Sequence, residues 1–179
     1  LSEGKRLAVK TFRNGVANGT MSGTYGVDQG ILSVDIVDTE GHRMQLSSYL
    51  AIAGDVFAVG FADNEAVYVP QSLEYGVVGS WKAYSVTRAL NGMTVTAVSE
   101  RNTDLRIWSS GRWSRIAWRI EMQNGVVSSP PRTSEEGVEW RELSVGRYSM
   151  KKTSTSVPVV YRQVGTALAP EVSLFSKVH

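Results

Sequence analysis

Apolar and polar residues alternate with a period of two along much of this chain, and a helical period is almost absent. Side chains of a strand point to opposite faces in turn, so such alternation predicts half-buried strands. Residues 6–12 place Leu7 and Val9 between polar neighbours and run into Asn14-Gly15, and a second Asn-Gly follows at 18–19. Residues 30–38 set Leu32, Val34 and Ile36 against Ser33, Asp35 and Val37. Asp38-Thr39-Glu40-Gly41 has turn chemistry, and 43–50 resume with Met44 and Leu46 on one side. Together these predict a hairpin with one apolar face.

The stretch 49–62 is the most apolar, and Gly54-Asp55 splits it into two short strands. A helix over 45–53 is the main alternative. Residues 65–70 read as a strand stopped by Pro70. Residues 80–90 and 93–99 flank Asn91-Gly92, the strongest short hairpin signal. Residues 104–108 and 112–122 flank Ser109-Ser110-Gly111. The run 128–137, with two prolines, serines and charges, predicts an exposed loop. Strands are expected again at 138–148, 157–164 and 171–178. About ten or eleven short strands in one domain, 1–179, predict an all-β fold. We expect an antiparallel sandwich of the jelly-roll kind or a partly closed barrel.

Composition narrows the chemistry. The chain has 179 residues and no cysteine, which removes disulfides, thiolate zinc sites and cysteine nucleophiles. Its 17 glycines are scattered, as many tight turns require. No apolar run approaches the length of a membrane span. Residue 1 is Leu with no signal-like segment after it, so the expectation is a processed piece of a longer chain. Net charge is +2, too small to point to nucleic acid, but it is uneven. Residues 1–90 hold seven Lys/Arg against nine Asp/Glu, and 91–179 hold twelve against eight.

That arginine excess centres on one window. Residues 105–119, LRIWSSGRWSRIAWR, contain three of the five tryptophans and four arginines. If Trp108 stands opposite Trp113, alternation sends Leu105, Ile107, Ile116 and Trp118 to the core. Arg106, Trp108, Trp113, Arg115 and Arg119 then share the other face. Arg106 would oppose Arg115, a like-charge pair that needs relief. Asp104, guanidinium stacking on indoles, or an external partner could supply it. Trp and Arg are enriched in interface hot spots, so these five residues are the candidate binding or subunit surface.

Other chemistry is thinner. No GxSxG, Walker loop, GxGxxG or HExxH is present. His42, Asp55 and Asp63 are the best carboxylate and imidazole candidates for acid–base work, but each sits in a turn-like context. Glu65 lies near them in the sequence. Asp35, Asp38 and Glu40 offer oxygen ligands for calcium without EF-hand spacing. His42 and His179 cannot make a two-His metal pair at local spacing, and no metal or cofactor is expected. Asn18-Gly19-Thr20 matches a glycosylation sequon. Lys151-Lys152 with Arg147 and Arg162 could touch phosphate, or serve as a solvated strand edge.

The sequence therefore favours a non-enzymatic structural or recognition module. We expect a coat, projection or fibre-type domain of a virus or phage, on a virion or extracellular surface, acting as a homo-oligomer with a glycan or receptor as a further partner. A carbohydrate-binding sandwich and a β-fold hydrolase are the alternatives.

Overall fold

A computed structural model describes residues 5–13, 16–60 and 66–176. Asn14-Gly15, Asp63, Asn64, Glu65 and His179 lie outside the described residues.

The fold is all-β and antiparallel, built from two sheets. The strands are β1 (Lys5–Arg13), β2 (Val16–Asp28), β3 (Ile31–Val37), β4 (Arg43–Ala53), β5 (Val56–Val59) and β6 (Val69–Tyr75). They continue with β7 (Val78–Asn91), β8 (Thr94–Ile107), β9 (Trp113–Gln123), β10 (Val126–Ser128) and β11 (Thr133–Gly137). The last are β12 (Glu139–Ser144), β13 (Arg147–Lys151), β14 (Val159–Val164), β15 (Ala167–Pro170) and β16 (Leu174–Ser176). A 3-10 turn, Glu171–Ser173, precedes β16.

Twelve strands form the large sheet along the order β1-β2-β3-β4-β7-β8-β9-β10. Off this path, β5 pairs with β4, β6 with β7, β11 with β9 and β16 with β5. The small sheet is β12-β13-β14-β15. The large sheet stays open, so the architecture is sandwich-like rather than a barrel.

Several turns follow the predicted chemistry. β3 and β4 pair Val34 with Leu46 and Ile36 with Met44 around the 38–42 turn. β7 and β8 close at Asn91↔Thr94 around Gly92, whose φ of 61° suits a residue without Cβ. Gly54 turns β4 into β5. The 45–53 segment is strand throughout, so the helical alternative fails.

Other elements depart from expectation, and each departure has a local cause. Sixteen strands replace about ten because long strands change partners. The first half of β4 pairs with β7 and its second half with β5. β9 pairs first with β11 and then with β10. Asn18-Gly19 makes no turn. Thr11 pairs with Gly19 and Phe12 with Ala17, so Asn18 is the extra residue of a bulge within β2. Pro70 lies inside β6, which has only β7 beside it, so the missing N–H disrupts no second ladder. The expected 128–137 loop is strand from Thr133.

The small sheet covers only one end of the large one. Trp81 and Ala83 of β7, Leu105 and Ile107 of β8 and Trp113 of β9 meet Tyr148, Met150 and Leu168 from the small sheet. The two sheets are also stitched by backbone. Tyr68 and Leu168 exchange N–H···O bonds of 2.8 and 2.9 Å, and the Trp140 N–H donates to the Gly111 carbonyl at 2.7 Å. A second cluster joins Ala51 and Ala58 to Val164, Ala167 and Ala169. Neither cluster includes a residue of β1–β3. Among the described residues those strands make their substantial contacts with their sheet neighbours. Val34 and Ile36 of β3 are nevertheless buried, and Ser48, paired with Leu32, donates its hydroxyl to the Gly60 carbonyl.

Candidate functional site

The arginine and tryptophan window forms the β8–β9 hairpin, and its register decides what each side chain meets. Ile107 pairs with Trp113, Arg106 with Ser114 and Leu105 with Arg115. Five residues, 108–112, lie between the paired ends. The Trp108 N–H donates to the Arg112 carbonyl at 3.0 Å, and the Gly111 N–H returns to the Trp108 carbonyl at 3.2 Å. Trp108 therefore belongs to the turn and is not opposite Trp113. That one-residue shift reverses every face assignment on β9.

The expected Arg/Trp face is consequently split. Trp113 is buried (5% exposed), shares the core face with Leu105 and Ile107, and donates its indole N–H to the Lys151 carbonyl at 3.1 Å. Its indole lies across Gly137, the residue paired with it on β11. Arg115 also turns inward, where its guanidinium meets the Glu135 carboxylate at 3.0 Å. Ile116, expected in the core, is 40% exposed on the outer face. Trp118 shares that face, because it pairs with Asn102 as Ile116 pairs with Asp104.

Arg106 has no arginine opposite it. It donates to Ser80 Oγ at 2.9 Å and pairs with Glu74. Asp104 does not sit beside Arg115 or Arg119, since it stands on the other face. The like-charge pair falls instead at Arg101↔Arg119. Arg119 is half exposed and paired with Glu121 at 3.3 Å. Guanidinium stacking does occur, by Arg132 over the Trp118 ring at 5.2 Å.

Of the five candidates, Trp113 and Arg115 belong to a cleft between the sheets. It has a volume of about 110 Å3, and Tyr68, Tyr161 and Lys152 complete its wall. Burial pushes the Tyr161 phenol far above its ordinary range, so it stays protonated. Burial also works against ionisation of Glu135. Lys152 at 2.7 Å and Arg115 outweigh it and hold the carboxyl below its usual value. One carboxylate thus joins β9, β11 and the residue after β13. This is the chemistry of a neutralised cation held between sheets. Sequence reasoning missed Glu135 because it lay in the presumed loop. Glu135 and Gly137, two residues apart opposite Arg115 and Trp113, were the available signal.

Trp108 is 40% exposed on the turn and lines an open hollow of about 270 Å3 with Ser110 and Arg112. Its carbonyl accepts the Trp140 indole N–H at 2.6 Å, which fixes the turn against β12.

Of the remaining candidates, Asp38, Glu40 and His42 come together, with one ligand atom of each within 4.8 Å of the others, whereas Asp55 is remote from them. His42 and Asp55 lie beyond opposite ends of β4, whose 11 residues span about 35 Å at the rise of a strand. The Asp38 carboxylate accepts N–H groups of Glu40 (2.8 Å) and His42 (2.9 Å) and bonds the His42 ring at 2.9 Å. Hydrogen bonding to Asp38 raises the His42 imidazole, and the same contact lowers Asp38. Asp35 is occupied by Arg43 and by Gln45 at 3.0 Å. Arg147 and Arg162 converge on Glu171 at 2.6 and 3.4 Å. Among the described residues, no helix is long and apolar enough to cross a membrane.

Compared with protein-family models, curated proteins and solved structures, the chain matches none of them.

Proposed function

We propose that this chain is a non-enzymatic structural or recognition module that works as a homo-oligomer, of the coat, projection or fibre type found on virus and phage particles. One observation carries the reading. The large sheet outruns its partner sheet, and among the described residues β1–β3 make their substantial contacts with their sheet neighbours and enter neither apolar cluster. A large open sheet is an unusual thing for an isolated domain to keep, because each sheet normally buries one face. Further copies of the same chain supply a covering layer in the simplest symmetric way.

Light scattering across protein concentration tests this. The expected result is a mass of at least two chains that falls on dilution. A single-chain mass at every concentration overturns the reading.

The exposed Trp108, beside Ser110 and Arg112, favours carbohydrate binding as a second reading. An exposed indole can stack on the apolar face of a sugar ring, and an arginine supplies hydrogen bonds at its edge. The buried Trp113 weakens the paired-tryptophan version of that reading. A glycan array with wild type and Trp108→Ala tests it. Equal binding, or none by either protein, rejects it.

A further inference from the structure

We infer that the cleft between the two sheets binds a small aliphatic monocarboxylate, its short chain inside and its charged end held by Arg115 and Lys152. The site is distinct from any contact between copies of the chain.

The wall of the cleft divides into an apolar and a charged part. Leu105, Trp113 and Met150 line it and are buried, so they form its inner surface. Val157, Val159 and Lys152 are the more exposed members of the wall and mark its open side. A ligand that enters there meets charge first and apolar surface behind it.

Charge selects the kind of ligand. Among the described residues, the wall holds one carboxylate, Glu135, against two cations, Arg115 and Lys152. The Glu135 oxygens are divided between them, at 3.0 Å from the Arg115 guanidinium and 2.7 Å from the Lys152 ammonium. One positive charge is left in excess. The Arg115 side chain is only 14% exposed and cannot shed its proton, so its charge stays where little water reaches it. A cleft lined by an excess of one sign concentrates ions of the other. An ammonium would meet two like charges there, and a neutral molecule would leave the excess unanswered. The planar fork of a guanidinium fits a carboxylate. The Tyr161 phenol, kept protonated by burial, adds a hydroxyl that can donate.

Size limits the chain attached to the carboxylate. An apolar cavity of about 150 Å3 accepts benzene, so a volume of about 110 Å3 holds about four or five heavy atoms besides what projects through the open side. Butyrate meets that limit, whereas a sugar ring or a long acyl chain exceeds it. Stability alone is a weak reason for charge at this place. Apolar residues of similar volume usually hold a fold together as well as a buried ion pair does. A ligand that needs the arginine accounts for it better.

Calorimetric titration of the whole chain with sodium butyrate, butylammonium chloride and 1-butanol, at one ionic strength, tests the choice of charge. Butyrate should bind at one site per chain, butylammonium should not bind, and butanol should bind about tenfold more weakly or less. No binding of butyrate, or equal binding of butyrate and butylammonium, overturns the inference.

Two substitutions should then move the affinity in opposite directions. Lys152→Gln removes the excess charge and should weaken butyrate binding by about threefold to tenfold. Glu135→Gln enlarges the excess and should tighten binding by about threefold. Damage to the fold would weaken both, so changes of the same sign overturn the inference. If Glu135→Gln does not fold, Lys152→Glu at the half-exposed position takes its place and should abolish binding. Binding retained in Lys152→Glu overturns the inference. Nuclear Overhauser contacts locate the bound ligand. The butyrate methyl protons should reach the Trp113 or Tyr161 ring, and contacts to the exposed Trp108 ring alone would reject the cleft as the site.

Discussion

Trp113 and Trp108 are five residues apart and have different fates, and the difference is measurable. Trp113 is buried over Gly137 with its indole N–H satisfied by the Lys151 carbonyl, so Trp113→Ala leaves a large cavity. We expect a loss of about 3–5 kcal/mol in chemical denaturation. Trp108→Ala, at an exposed turn whose backbone makes the hydrogen bonds, should cost less than about 1 kcal/mol. A Cβ added at Gly137 would run into the Trp113 indole, so Gly137→Ala should cost about 1–3 kcal/mol although it adds one methyl group. Equal stability of Gly137→Ala and wild type would show that the indole can move aside. His42 supplies a residue-scale titration. Its hydrogen bond to Asp38 favours the imidazolium, so its NMR titration midpoint should lie above the ordinary histidine value and return toward it in Asp38→Asn. The stability from this contact is full below the ordinary value and fades as pH rises through the raised one.

At the scale of elements, Glu135 is the residue that ties β11 into the sandwich. It answers Arg115 on β9 and Lys152 beyond β13. Glu135→Gln leaves the inward Arg115 without its counter-charge. The carboxylate is more than a quarter exposed, so solvent limits the loss at neutral pH to about 1–2 kcal/mol. The folded carboxyl is held below its unfolded value, so this stability is present above the ordinary carboxylate range and disappears as pH falls through the lowered value. Thermal melts should therefore show wild type and Glu135→Gln diverging at neutral pH and converging in acid. A gap that stays constant with pH would mean that packing, not charge, accounts for it.

The same elements show what the sequence could and could not carry. The amphipathic β3–β4 hairpin was legible because its alternation, turn residues and pairing agree at every position. The β8–β9 hairpin was not. Trp and Arg appear on both of its faces, so hydrophobic pattern alone could not fix the register, and one residue more in the turn reversed β9. β11 was hidden for a related reason. Its sequence Thr-Ser-Glu-Glu-Gly has no apolar face, because it pairs a carboxylate with a buried arginine and a bare glycine with an indole. For the five candidate site residues, the alternation could not tell which indole faces water.

At the scale of the whole molecule, the backbone hydrogen bonding of β3 and β8 is alike, since each is an inner strand with a neighbour on both sides. What differs is the second layer. The end of β8 with Leu105 and Ile107 lies under the small sheet, whereas β3 enters neither apolar cluster and, among the described residues, makes its substantial contacts with β2 and β4. Local opening is easiest where few apolar contacts must be broken, so the two ends should differ in amide exchange even though their ladders match. For a dilute single chain we expect the β3 amides to exchange faster than those of Leu105 and Ile107. If a second copy supplies a further layer, opening β3 also requires breaking that contact. Its amide exchange should then slow as protein concentration rises, while exchange at Leu105 and Ile107 stays fixed by the internal sandwich. Hydrogen exchange at two concentrations separates the possibilities. Slow, concentration-independent exchange in both regions would mean that contacts within one chain are enough to hold β1–β3, which would then need no partner on stability grounds.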